Sequence, residues 1–242
     1  MKTSVDVKLK EYDLKLLDKG YDRISIFVED TKKLDSICSC IDKVTKGSIS
    51  RAISSTEFEK KSCGDVLTIS FPGALSTEYL DLVKWSKSGK PNDARKAGVN
   101  LAKKSNHDNI LICGSIQKMS EDVIKGYLLR RYEFSDYKNI KNTGTGSVTL
   151  MLKRPKDFAK SLSEIRAQVD GVFFTRNLVN EPANILSTVE FSKRLKKLSD
   201  LGVSVEILEE KKLEELGMNA LLGVGQGSAN PSKVVVMSWK GA

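Results

Sequence analysis

Two short runs constrain this chain more than anything else in it. Ile24-Ser25-Ile26-Phe27-Val28 and Ile110-Leu111-Ile112-Cys113 are apolar at every position except Ser25. A strand with one wet face alternates apolar and polar residues, whereas a nearly all-apolar strand is covered on both faces. Strands of that kind belong in a sheet layered between helices. Residues 5–9, 23–28, 66–71, 79–85, 109–113 and 147–153 are the strand candidates, and helix-period segments lie between them. In 91–106, Ala94, Ala97, Leu101 and Ala102 fall on one side with lysines opposite. In 120–134, Val123, Ile124, Tyr127, Leu128 and Arg131 follow the same spacing, with Ser120 placed to cap. The alternation specifies an α/β fold, a mixed sheet flanked by helices.

A single long helix follows. From Pro155, the residues Leu162, Ile165, Val169, Val172 and Phe173 recur at steps of three and four, and the pattern runs to about Val179. Asn180-Glu181-Pro182-Ala183-Asn184 ends it: Pro182 has no N–H to donate, and its ring disfavours helical dihedrals at Glu181. Asn180 is placed as a left-handed terminator. A new unit then starts. Ser187-Thr188-Val189-Glu190 has the spacing of a capping box, with Phe191, Leu195 and Leu198 as the expected buried stripe and Gly202 as its stop. Residues 203–208 alternate as a strand, 209–216 read as a short helix stopped by Gly217, and 234–239 (VVVMSW) read as a buried strand. The expected organisation is an α/β domain over 1–155, a connecting helix and junction over 156–186, and the beginning of a further, incomplete α/β domain over 187–242. That last piece is small for an independent domain.

Bulk properties exclude several classes. No segment approaches the ~18 uninterrupted apolar residues of a membrane span. The start, MKTSVDVKLKEYDLK, is charged throughout and lacks the apolar core of a secretory signal, so a cytoplasmic location is expected. Cys38, Cys40, Cys63 and Cys113 form no spaced framework, and with a single histidine they fit reduced thiols better than a structural zinc site. The net charge of +9 is uneven: residues 1–165 hold 30 basic against 22 acidic residues, and 166–242 hold 10 against 9. A basic front half is compatible with a solvated Lys-rich surface and also with nucleic-acid binding.

Candidate chemistry is sparse. His107, in the loop SNHDN, is the one side chain able to act as the base of a Ser-His or Cys-His mechanism, and equally an exposed turn residue. Glu181 is a carboxylate set among amides, but the helix stop already explains its surroundings. In LLGVGQGSANPS (221–232), Gly223, Gly225 and Gly227 alternate in the manner of a phosphate cradle. A structure-breaking Ser-Ala-Asn-Pro follows them where a helix should start, which favours a tight connecting loop. TGTGSV (143–148) reads as a strand-entry turn. The carboxylates are interleaved with lysines, and no two-metal cluster is visible.

The second half nevertheless resembles a known family. TRNLVNEPANILS (175–187) is similar to the domain junction of the leucyl (cytosol) aminopeptidases, and LGMNALLGVGQGSANPSKVVVMSWKG (216–241) to the entry into their catalytic domain, with VSVEIL in the expected order between them. The resemblance covers roughly the last 75 residues. It implies a macro-domain-like front domain and a metal-dependent hydrolase that removes N-terminal amino acids, leucine being favoured, from peptide substrates. It also implies two divalent metals (Mn or Zn), a hexamer, and DNA binding in some bacterial members. The family's ligands lie in Gly-Lys-Gly-x-Thr-Phe-Asp and Asn-Thr-Asp-Ala-Glu-Gly-Arg motifs, and neither occurs in these 242 residues. No catalytic, cofactor-binding or metal-binding residue is therefore assigned here. The expectation is the N-terminal portion of a leucyl aminopeptidase, ending before the metal motifs and inactive alone. The alternatives are a nucleic-acid-binding module, with nucleotide or ADP-ribose binding as a variant, and an assembly module without enzymatic activity.

Overall fold

The computed structural model describes residues 5–29, 34–105, 109–114, 119–138 and 146–241. Its contacts divide the chain into two compact units, Met1–Phe174 and Thr175–Ala242.

The first unit runs β1 (Asp6–Glu11), β2 (Arg23–Glu29), α1 (Ser36–Val44), α2 (Ser48–Ile53), α3 (Thr56–Glu59), β3 (Val66–Ser70), β4 (Tyr79–Trp85), α4 (Pro91–Lys104), β5 (Asn109–Gly114), α5 (Ser120–Arg130) and β6 (Ser147–Leu152), and then enters α6 (Pro155–Asn180). The six strands lie in the order β1-β6-β5-β2-β4-β3, with every neighbouring pair parallel except β3 and β4. Successive residues of a strand point to opposite faces, and the two apolar runs use both. Ile24, Ile26, Val28, Leu111 and Cys113 turn to a core shared with Ile37, Ile41, Ile49 and Phe58 of α1 to α3. Phe27, Ile110 and Ile112 turn to a second core closed by α4, α5 and α6 through Leu101, Ile124, Leu128, Ile165 and Val169.

Ser25, the polar interruption in the β2 run, marks a buried polar cluster. Arg23 donates through Nη1 to both oxygens of Asp81 at 3.0 and 2.9 Å. Thr68 Oγ1 donates to Asp81 at 2.6 Å and Ser25 Oγ at 3.4 Å, and the guanidinium lies 4.1 Å from the centre of the Tyr79 ring. Asp81 is fully buried and Arg23 nearly so. A charge removed from water needs this density of partners.

Helices α4 and α5 pack backbone to backbone. A Cβ at Gly98 would stand 1.9 Å from the Val123 carbonyl oxygen, and one at Gly126 would stand 2.2 Å from that of Arg95. Two departures from the sequence reading fall in this unit. Residues 36–59 hold three short helices that showed no period, and Ser120 is the first residue of α5 rather than its cap, which is Met119. Of the stripe on α6, Leu162, Ile165, Val169 and Phe173 are buried, whereas Val172 is partly exposed.

The second unit contains the end of α6, then α7 (Thr188–Lys196), β7 (Ser204–Leu208), α8 (Glu210–Glu215), α9 (Asn219–Gly225) and β8 (Val234–Ser238). β7 and β8 pair antiparallel, with Val205 opposite Met237 and Ile207 opposite Val235. Gly202 takes the left-handed conformation that stops the 3-10 turn before β7, and Gly217 takes it after α8.

Four expectations are corrected here. Asn180 is helical, not a left-handed terminator, because the Glu181 N–H still donates to the Asn177 carbonyl at 3.1 Å and the helix yields only at Pro182. The 221–232 segment is not all loop, since its first residues complete α9. β8 is not a buried strand: Val236 and Met237 are 43% and 49% exposed, because β7 is its one partner strand among the described residues. On α7, Leu195 is buried but Phe191 is 40% exposed, and Leu198, half-buried, falls beyond α7 in the 3-10 turn Lys197–Leu201.

Candidate functional site

Pro182 turns the chain at the joint, and its carbonyl accepts from the N–H groups of Ile185 and Leu186 at 2.9 Å. Ser187 then caps α7, its hydroxyl accepting from the Glu190 N–H at 3.3 Å. The reciprocal half of the capping box does not form, because the Glu190 carboxylate is drawn to Arg194 one turn on, at 3.0 Å. The same guanidinium donates to Glu181 at 2.6 Å. Arg194 therefore clamps the joint to α7 through two carboxylates, with the Glu181 side chain only 5% exposed. Hydrogen bonds to Glu181 and then Glu190 raise the Arg194 guanidinium above its ordinary value. The hydrogen bond from Arg194, aided by the nearby Lys193 and Lys197 charges, holds Glu190 below the usual carboxylate range. With its buried carboxylate held by the Arg194 guanidinium, Glu181 is placed to fasten the joint. The four-residue step from Glu190 to Arg194 was visible in the sequence. The thirteen-residue reach to Glu181 carried no local signal.

The glycine run is no phosphate cradle. Gly223 and Gly225 lie at the carbonyl end of α9, where the helix presents acceptors and negative potential rather than N–H groups. At Gly225 the reason for glycine is packing: a Cβ there would stand 1.9 Å from Ser232 Oγ. Gly223 and Gly227 have open space around them. The segment after α9 is tied down by the Ser232 N–H donating to Glu210 at 2.8 Å, by Thr188 Oγ1 donating to the Pro231 carbonyl at 2.8 Å, and by a Lys233–Glu209 ion pair.

Two clefts lie among the described residues. An open one of about 470 Å³ in the second unit is lined by Lys193, Lys196, Lys197, Asp200, Glu209 and Lys233. Lys196 there donates to the Val205 carbonyl at 2.7 Å. A smaller one of about 270 Å³ lies where β6 ends and α5 and α6 begin, and holds Glu121, Arg154 and Asp157. In the larger one, the Ser192 and Ser199 hydroxyls donate to the Val189 and Lys196 carbonyls at 2.9 and 2.7 Å. His107 lies outside the described residues, as do 143–145 of the strand-entry turn, whose Gly146 has a positive φ. All four cysteines are free thiols. Burial, then the Asp35 charge, pushes Cys38 and Cys113 far above the usual thiol range, and burial raises Cys63. Thiols so protonated are poor nucleophiles.

Among the described residues, no group of three or more His, Cys, Asp or Glu side chains could hold a metal ion. Glu181 and Glu190 are engaged by Arg194, Glu209 by Lys233 and Glu210 by the Ser232 N–H. A two-metal site does not fit the described residues. In the front unit, some of the basic side chains lie in ion pairs such as Arg95–Asp122 at 2.8 Å and Lys96–Asp65 at 2.9 Å, which leave the net excess unchanged. No helix among the described residues is long and apolar enough to cross a membrane.

Fold and joint together define an α/β domain with a mostly parallel sheet, joined by one long helix to the opening elements of a second α/β unit. Residues 173–242 match the model of the cytosol aminopeptidase family's catalytic domain. A probable cytosol aminopeptidase of Dinoroseobacter shibae is 39% identical over 229 residues, covering 95% of this chain and 47% of the relative. One of Cereibacter sphaeroides is 37% identical over 237 residues, covering 98% and 48%. A mutant of tomato leucine aminopeptidase superposes with a TM-score of 0.80 at 21% identity, over 96% of this chain and 50% of that one. The bottromycin maturation enzyme BotP, in complex with Mn, superposes with a TM-score of 0.67 at 18% identity, over 91% and 45%. The chain belongs to the cytosol aminopeptidase family and spans about half the length of the curated relatives it matches.

Proposed function

We propose that this chain supplies the accessory α/β domain, the connecting helix and the first catalytic-domain elements of a cytosolic, metal-dependent leucyl aminopeptidase, and that by itself it hydrolyses no peptide. The domain limits belong to the same proposal: accessory domain 1–155, helix and junction 156–186, catalytic beginning 187–242. The observation that carries it is the pairing of coverage with chemistry. The catalytic-domain match is confined to 173–242, and the sequence contains neither the lysine nor the carboxylate motif in which the family's Mn or Zn ligands lie. Engagement of Glu181 by Arg194 supports a mechanical role for the joint. In the whole enzyme, the metal pair would polarise the scissile carbonyl and activate water. The residues here would hold and orient the domain that carries it, within a hexamer.

Leucine p-nitroanilide hydrolysis by the purified chain, with Mn²⁺ or Zn²⁺ added, tests the reading. No turnover above the metal-only blank is expected. Metal-dependent turnover that survives further purification would overturn it.

A further inference from the structure

Lys193, Lys196 and Lys197 are spaced to share one side of α7 and of the 3-10 turn that continues it, Lys197–Leu201. All three line the open cleft of about 470 Å³ in the second unit, and Lys233, from the segment before β8, joins them there. Asp200 and Glu209 are the carboxylates of the lining, so four cations face two anions. Lysines at the end of a helix ordinarily answer its carbonyl potential. That reason does not reach Lys233, which lies outside any helix, is 11% exposed and pairs with Glu209. It does not reach Lys196 either, whose ammonium donates to the Val205 carbonyl of β7 at 2.7 Å. Lys193 meets Glu190 at 4.0 Å, with its own side chain 71% exposed. The cations of the cleft are all ammonium groups, because Arg194, the one guanidinium of α7, turns to Glu181 and Glu190. A guanidinium fork suits a planar carboxylate, whereas an ammonium is a point charge with rotatable donors and suits the spread oxygens of a phosphate.

We propose that this cleft is a binding site for a compact polyphosphate anion. Lys196 and Lys233 are held in place by the Val205 carbonyl and by Glu209, and each ammonium keeps donors to spare for ligand oxygens. Exposed Lys193 and Lys197 add charge without having to leave a close partner. The surplus of cations favours a ligand with several charges close together, because each ammonium then finds an oxygen of its own. No aromatic side chain on which a base could stack is among the lining residues, so the phosphates themselves are the recognised group, whether free or at the end of a nucleotide. The site lies wholly within the second unit and is separate from the basic excess of residues 1–165.

Calorimetric titration of the purified chain with sodium tripolyphosphate tests the site, with sodium sulfate at matched ionic strength as the reference and the melting temperature read alongside. One saturable equivalent per chain is expected for tripolyphosphate, and none for sulfate over the same range. Lys193→Gln/Lys197→Gln, on an exposed helical face, should weaken binding about 3- to 30-fold, the range of two exposed ion pairs. Lys103→Gln/Lys104→Gln removes the same charge from the end of α4 and should change nothing. Asp200→Asn takes a repelling carboxylate from the cleft and should tighten binding. Adenosine triphosphate should bind no more tightly than tripolyphosphate. Circular dichroism establishes that each variant is folded. Tripolyphosphate that gives neither saturable heat nor stabilisation, unchanged binding by folded Lys193→Gln/Lys197→Gln, or equal weakening by the two lysine pairs would each overturn the site. Equal saturation by sulfate, or a tighter affinity that depends on the base of the nucleotide, would overturn the assignment to polyphosphate.

Discussion

Removing the Glu181 carboxylate tests whether the joint is fastened as described. Glu181 meets Arg194 at 2.6 Å, with side chains 5% and 24% exposed. A hydrogen bond to a charged group contributes about 1.5–3 kcal/mol. Arg194 is a quarter exposed and keeps Glu190 at 3.0 Å, so screening and the surviving partner bring the expected loss to about 1–2 kcal/mol. That corresponds to about a 5- to 30-fold rise in the population of the open state. In Glu181→Ala, amide hydrogen exchange measured by mass spectrometry should accelerate by that factor in peptides covering the joint and α7. Peptides from β2 and β5 should not change, and they serve as the internal reference. Glu181→Gln keeps an acceptor without the charge and should show a smaller acceleration. Unchanged exchange in α7, or an equal acceleration throughout the chain, would refute the clamp.

Other outcomes follow from the front unit and from charge. Asp81→Ala takes the carboxylate from a buried guanidinium, a loss of about 3–5 kcal/mol. At about 2–4 °C per kcal/mol for a unit of this size, calorimetry should record a melting point about 6–20 °C lower. Arg23→Leu/Asp81→Leu together should recover most of that. Gly98→Ala forces α4 and α5 apart and should cost about 1–3 kcal/mol, read from chemical denaturation. Asp65, opposed by burial but held by Lys96 and the Ser62 N–H, and Glu190, held by Arg194, both have folded values depressed below their ordinary 3.8 and 4.5. Their contribution is present above those ordinary values and is lost as pH falls through the folded ones. The urea midpoint should decline as pH drops below 4.5, and Asp65→Asn/Glu190→Gln should flatten that decline.

The sheet was legible because both-face burial leaves a plain mark on a sequence. The run 24–28 is apolar at positions that face two different cores, and 79–85 coincides with β4 residue for residue. The helix from Pro155 was legible because its stripe stays in phase from Leu162 to Phe173. Residues 36–59 were not, because four- to nine-residue helices complete too few turns to show a period. α1 is set instead by the Asp35 carboxylate accepting from the Cys38 N–H at 2.7 Å and by burial of Ile37 and Ile41. α9 was masked by its glycines, one of which is needed only for the close approach of Ser232. The exposure of β8 could not be read from its residues, since an apolar run records a preference for cover and not which neighbours supply it. At the joint, the proline stop and the Ser187 cap were visible in the sequence, and the Arg194 clamp was not, because it closes across a turn.

The central claim is that a peptidase scaffold is present here without the side chains that hold its metal pair. Calorimetric titration of the purified chain with Mn²⁺ addresses it most directly. The account expects no saturable binding in the micromolar range and no change in melting temperature on adding the ion. Two equivalents of tightly bound Mn²⁺, lost on substitution of Asp or Glu residues within this chain, would contradict it.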